Sequence, residues 1–80
     1  MDALKSASRR VVGTKQLLRA LKAGTVSRAY VANDADTFLY QRVMLAAEEA
    51  RVPVTRVATM KELGEACGVA VNTAAAGLLR

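Results

Sequence analysis

The sequence predicts an α/β domain, a three-layer α/β/α sandwich built on a four-stranded mixed sheet. Three observations lead to it. Segments rich in β-branched residues alternate with segments whose apolar residues recur at helical spacing. Gly13, Gly24, Pro53 and Gly68 fall where those segments start or stop. The run Ala29-Tyr30-Val31-Ala32 is almost continuously apolar, the pattern of a strand covered on both faces by helices. The 80 residues suffice for one domain, residues 1–80, and contain no repeat, linker or low-complexity tract.

Taken in order, residues 2–7 suit a short helix, and Arg9-Arg10-Val11-Val12 a strand, because the β-branched pair favours extended backbone. From Gly13 to Ala23, Leu17, Leu18 and Leu21 fall on one helical face, and Gly24 sits where a left-handed cap ends the helix. Residues 26–32 read as a strand. Asn33-Asp34-Ala35-Asp36 then supplies turn and N-cap chemistry for a helix reaching about Arg51, with Leu39, Val43, Ala46, Ala47 and Ala50 on its buried side. Pro53 marks a restart, and residues 54–57 form a short strand. Thr59 and Glu62 have the spacing of a capping box and open a helix over residues 60–67, closed by Gly68. Residues 73–79, rich in alanine with Gly77 among them, complete the sheet as a strand that helices can approach closely.

Hydrophobic residues make up 52% of the chain and charged ones 24%, which excludes a disordered tail. Aromatic residues are only 4%, so the core is built from Ala, Val, Leu and Met, and base stacking is not expected to be the main binding device. Twelve Lys and Arg against seven Asp and Glu give a net charge of +5, which favours a polyanionic partner, nucleic acid first. There is no histidine and Cys67 is the single cysteine, so neither an intrachain disulfide nor a Cys/His zinc site can be assembled, and Cys67 reads as a small buried hydrophobe. The opening Met-Asp-Ala-Leu-Lys lacks a signal-peptide apolar run and no segment is long enough to span a membrane, so a cytoplasmic monomer without cofactor or metal is expected.

Lys15, Arg19 and Lys22 lie at i, i+4 and i+7, a basic stripe opposite the leucine face. Gly13-Thr14 at the start of that helix offers unpaired backbone N–H groups and the positive end of the helix dipole, with Arg9 and Arg10 just upstream. An ordinary solvated basic face has the same pattern. A nucleotide P-loop is excluded, since position 8 is serine where glycine is required and position 14 is threonine where lysine is required. Asp34 and Asp36 are explained by capping, and Glu62 and Glu65 by a helix surface. No catalytic constellation is present.

Two segments, Gly13-Thr-Lys-Gln-Leu-Leu-Arg-Ala-Leu-Lys-Ala-Gly24 and Met60-Lys-Glu-Leu-Gly-Glu-Ala-Cys-Gly-Val-Ala-Val71, resemble the RNA-contacting parts of the L-seven-Ae superfamily of kink-turn RNA-binding ribosomal proteins. Asn33-Asp34-Ala35-Asp36 and Val52-Pro53-Val54 are similar to the family's acidic turn and its proline before the third strand, with Thr37 where proline is common. The resemblance covers the whole chain and is closest to short bacterial members. It implies that Gly13, Thr14, Lys15, Gln16 and Arg19 enter the groove beside tandem sheared G·A pairs, with Lys22, Arg9 and Arg10 adding salt-dependent attraction. It further implies that Val69, Ala70 and Val71 pack on an extruded nucleotide, with Thr73 and Ala74 nearby, while Leu63 and Cys67 hold that loop from behind. Archaeal and eukaryotic members carry Asn-Glu where this chain has Lys15-Gln16. The implied partner is structured RNA, ribosomal RNA among the candidates. Two other readings stay open: a protein-interaction module using the 69–71 loop, and, more remotely, a phosphate-ligand enzyme built on the Gly13 turn.

Overall fold

The computed structural model describes residues 9–80. Its elements run β1 (Arg10–Val12), α1 (Thr14–Ala23), β2 (Val26–Ala32), α2 (Thr37–Glu49), β3 (Val54–Val57), α3 (Met60–Cys67) and β4 (Ala75–Leu79). The helix expected at residues 2–7 lies outside the described residues. The four strands form one sheet in the order β1-β4-β2-β3, with β4 antiparallel to both β1 and β2, and β3 parallel to β2. This is the mixed sheet the sequence predicts.

Period-two alternation along the strands divides the core into two layers. Ala29 and Val31 of β2 point to one side, where Leu17, Ala20 and Leu21 of α1 meet Val43 and Ala47 of α2. Tyr30 and Ala32 point to the other, where they pack with Leu63 and Cys67 of α3 and Ala76 of β4. Two helices therefore cover one face and one helix covers the other, and β2 is buried on both. Gly77 lets α1 lie close to the sheet: a Cβ there would sit 2.7 Å from Leu17 Cδ1, tighter than side chains tolerate.

Element boundaries and one cap differ from the sequence reading. The helix α2 stops at Glu49 rather than Arg51, because Arg51 turns to a φ of 58° and the Val52 N–H returns to the Ala47 carbonyl at 2.9 Å. The last strand begins at Ala75 rather than Thr73, because the Thr73 N–H is donated to the Met60 carbonyl at 3.0 Å instead of to the sheet. Asp34 does not serve α2. Asp36 caps that helix through Leu39 N–H, whereas Asp34 Oδ1 accepts from Met60 N–H at 2.8 Å and so caps α3. The parallel pairing of Ala32 with Val57 places the turn after β2 beside the start of α3, and that makes the bond possible.

Leu17 is fully buried at the centre of the larger layer, so Leu17→Ala is expected to cost about 2–5 kcal/mol, read as a lower urea midpoint. Burial pushes the Cys67 thiol up, with the Arg10 guanidinium pulling the other way. A raised folded pKa means that this contribution to stability is intact below the unfolded thiol pKa of about 8.5 and is lost as pH rises toward the folded value. As pH rises above the unfolded thiol pKa, Cys67→Ala should therefore lose less stability than the parent, measured as the pH slope of the unfolding free energy.

Candidate nucleic-acid interface

Since β1, β2 and β3 run parallel to one another and β4 runs against them, three strand carboxyl ends and the amino end of β4 share one end of the sheet. Each of the three strands feeds directly into a helix. All three helix amino termini therefore lie at this end, and their dipoles all present positive potential there. Ligands of open α/β sheets gather at the same place for the same reason.

The three amino termini are not equivalent. Asp36 caps α2, and Thr59 Oγ1 accepts from Glu62 N–H at 3.1 Å in α3, with Asp34 reinforcing it. The first turn of α1 has no side-chain cap and no acidic residue. Its N-cap is Gly13, at φ 105° and ψ 148°, backbone that residues with a Cβ essentially do not adopt, at a cost of about 1–3 kcal/mol. The Gly13 N–H is fixed to the Ala75 carbonyl at 2.8 Å, and its carbonyl accepts from Leu17 N–H. Orphan amides at the head of α1 are thus held rigidly while left without side-chain partners.

The loop of residues 68–74 ends beside this turn, because β1 and β4 pair through Val12 and Ala76. A glycine the sequence reading did not single out sets the loop's position. On Gly64 in α3, a Cβ would overlap the Val71 carbonyl oxygen and crowd Asn72, so only glycine lets the loop settle onto the helix. Val69 and Ala74 pack onto Leu63 and Cys67. Ala70 is exposed, and Val71 projects with 69% of its surface exposed.

Of the residues expected to form a site, Lys15, Gln16, Arg19 and Lys22 are exposed along α1, and Gly13 and Thr14 are half-buried at its start. Gly13 and Thr14 open the helix turn that carries Lys15 and Gln16, while Ala70 and Val71 lie on the loop that runs from α3 to β4. Val69 turns partly inward, and Thr73 is 4% exposed, with its backbone bonded to Met60, so these two support the loop from within. Lys22 lies a full helix length away, in the last turn of α1. Arg9 is exposed and Arg10 half-buried at the start of β1. Among the described residues, no group of acidic, cysteine or histidine side chains could hold a metal ion. None of the described helices is long and apolar enough to cross a membrane. The arrangement offers donors, cations and a small apolar surface, which suits binding an anion-rich ligand that also exposes a flat apolar group.

A profile of the ribosomal protein L7Ae/L30e/S12e/Gadd45 family matches residues 1–79. An RNA-binding protein of Geobacillus sp. (strain WCH70) is 51% identical over 74 residues, covering 92% of this chain and 90% of that one. RNA-binding protein YbxF of Geobacillus stearothermophilus is 51% identical over 70 residues, covering 88% and 85% respectively. Among solved structures, a Giardia lamblia 15.5kD RNA binding protein superposes with a TM-score of 0.88 at 26% identity, over 99% of this chain and 67% of its own.

Gly64→Ala forces the loop off α3, with an expected destabilisation of about 1–3 kcal/mol. Amide chemical shifts should move over residues 68–74 while those of α2 stay in place. Unchanged loop shifts would show that Gly64 does not set its position.

Proposed function

This chain belongs to the ribosomal protein L7Ae/L30e/S12e/Gadd45 family, and from that membership we propose that it binds structured RNA at kink-turns as a ribosome-associated protein of the cytoplasm. The observation that carries the reading is the uncapped start of α1, tied by the Gly13 to Ala75 hydrogen bond to the strand into which the exposed apolar loop leads. RNA proteins read sequence mainly where bases are unpaired or splayed, and a sharp bend in RNA exposes such bases next to crowded phosphates. Each half of this surface answers one of those features.

In this reading the free amides of Thr14, Lys15 and Gln16 and the dipole of α1 face the phosphates at the bend. Gln16, uncharged and able both to donate and to accept, faces guanine edges in the sheared G·A pairs, and Lys15 reaches O6 or N7. Arg19 and Lys22 neutralise backbone further along the helix. Ala70 and Val71 cover the extruded nucleotide, a contact that excludes water without selecting a base. The protein does no chemistry on the RNA: its contribution is to stabilise a bend that phosphate repulsion opposes. The homologues named as RNA-binding proteins support this reading.

Gel-shift titration at fixed magnesium and salt tests it, with a kink-turn RNA against the same RNA carrying Watson–Crick pairs in place of the tandem G·A pairs. The kinked RNA should bind more tightly, and Gln16→Ala and Lys15→Ala should each cost about 1–3 kcal/mol on it and much less on the duplex. Equal, salt-sensitive binding to both RNAs reduces the surface to a general polyanion binder. Absence of RNA binding favours the protein-interaction use of the exposed Val71 loop.

A further inference from the structure

We propose that the RNA surface continues from α1 across the adjoining groove onto α2, where Phe38 stacks an unpaired nucleotide flanking the kink and Arg42 holds its phosphate. The proposal rests on the RNA-binding reading and extends its footprint to a second helix.

Three observations support it. Phe38 is 66% exposed at the start of α2, a large apolar ring left in water in a chain with very few aromatic residues. One helical turn on, the Arg42 guanidinium carbon stands 5.9 Å from the ring centroid, the outer limit of a cation–π contact. Among the described residues Arg42 has no acidic partner or hydrogen bond, so its donors are available. A ring beside an unpaired guanidinium combines a stacking surface with a phosphate donor, the pairing by which proteins hold single-stranded nucleotides.

The groove supplies the connection. One wall is Thr14, Lys15, Leu18 and Arg19 of α1, and the other is Leu39 and Arg42 of α2. The two helices start at the same end of the sheet, so the first turns of both face the ligand that α1 binds. RNA whose phosphates lie on Lys15 and Arg19 brings its neighbouring nucleotide within reach of the opposite wall. Toward the far end the groove carries Lys22 with Glu49 as its one acidic residue, so the rim is basic along most of its length. A second copy of this chain, with a net charge of +5, would meet like charge there. An acidic protein helix could fit the rim, but it would compete for the Lys15 and Arg19 that the RNA reading already uses.

The test compares a blunt kink-turn RNA with one carrying three unpaired nucleotides next to the kink, titrated against the wild-type protein, Phe38→Ala and Arg42→Ala. Wild type should favour the flanked RNA roughly ten-fold, the scale of one stacked base. Phe38→Ala should abolish that preference while binding blunt RNA as before. Arg42→Ala should lower the salt slope on flanked RNA by about 0.7, one single-strand phosphate contact. Phe38→Trp places the sole tryptophan of the chain at the site, and its fluorescence should be quenched by flanked RNA and not by blunt RNA. If wild type binds both RNAs and the variants match it on each, the inference is overturned and the groove is left to a protein partner. If wild type binds neither, the RNA reading fails and the inference falls with it. Both side chains are exposed, so folding of the variants is expected to be unchanged.

Discussion

The antiparallel pairing of β1 with β4, closed by the hydrogen bond from Gly13 N–H to the Ala75 carbonyl, is the constraint on which the surface depends. Gly13 and Ala75 are the hinge points of two segments far apart in sequence: one leads into α1 and the other emerges from the loop behind α3. Pairing fixes the distance between the two in the way that side-chain contacts between exposed residues could not. Backbone hydrogen bonds in a sheet leave little freedom of register once both faces of the strand are buried, and β4 is buried by α1 on one side and α3 on the other.

Electrostatics follow from the same topology. Parallel β1, β2 and β3 deliver three helix amino termini to one end of the sheet, and two of them are capped by Asp34, Asp36 and Thr59. The third is left open at Gly13, and the cations of α1 extend its field along one face. Most of the positive charge there is unpaired in the free protein, so counterion release on binding a polyanion is available to drive association. Membership in a family of RNA-binding proteins and this pattern of open and closed helix ends point to the same use.

Two features of the outer surface complement this arrangement. Val71 and Phe38 are among the most exposed large apolar side chains of the described residues, one on the loop that leads into β4 and one in the first turn of α2. Neither is needed by the core. Single exposed apolar residues are ordinary on protein surfaces. What makes them informative is their setting: Phe38 has the Arg42 guanidinium against its ring, and Val71 stands on a loop seated on Gly64.

The sequence by itself determined the elements and their chemistry. The boundaries of α1, β2, β3 and α3 follow from Gly24, the apolar run at Ala29 to Ala32, Pro53 and the Thr59 cap, because local backbone preference and period are written within a few residues. The basic stripe of Lys15, Arg19 and Lys22 is legible for the same reason. Only the tertiary structure decided what depends on distant partners. Asp34 caps α3 instead of α2 because parallel strands bring that helix alongside; Thr73 turns inward because its backbone binds Met60; and Gly64 matters because the Val71 carbonyl occupies the space a Cβ would take. Spacing along the chain cannot reveal these, since each is a contact across a fold whose geometry exists only once the sheet has closed around β4.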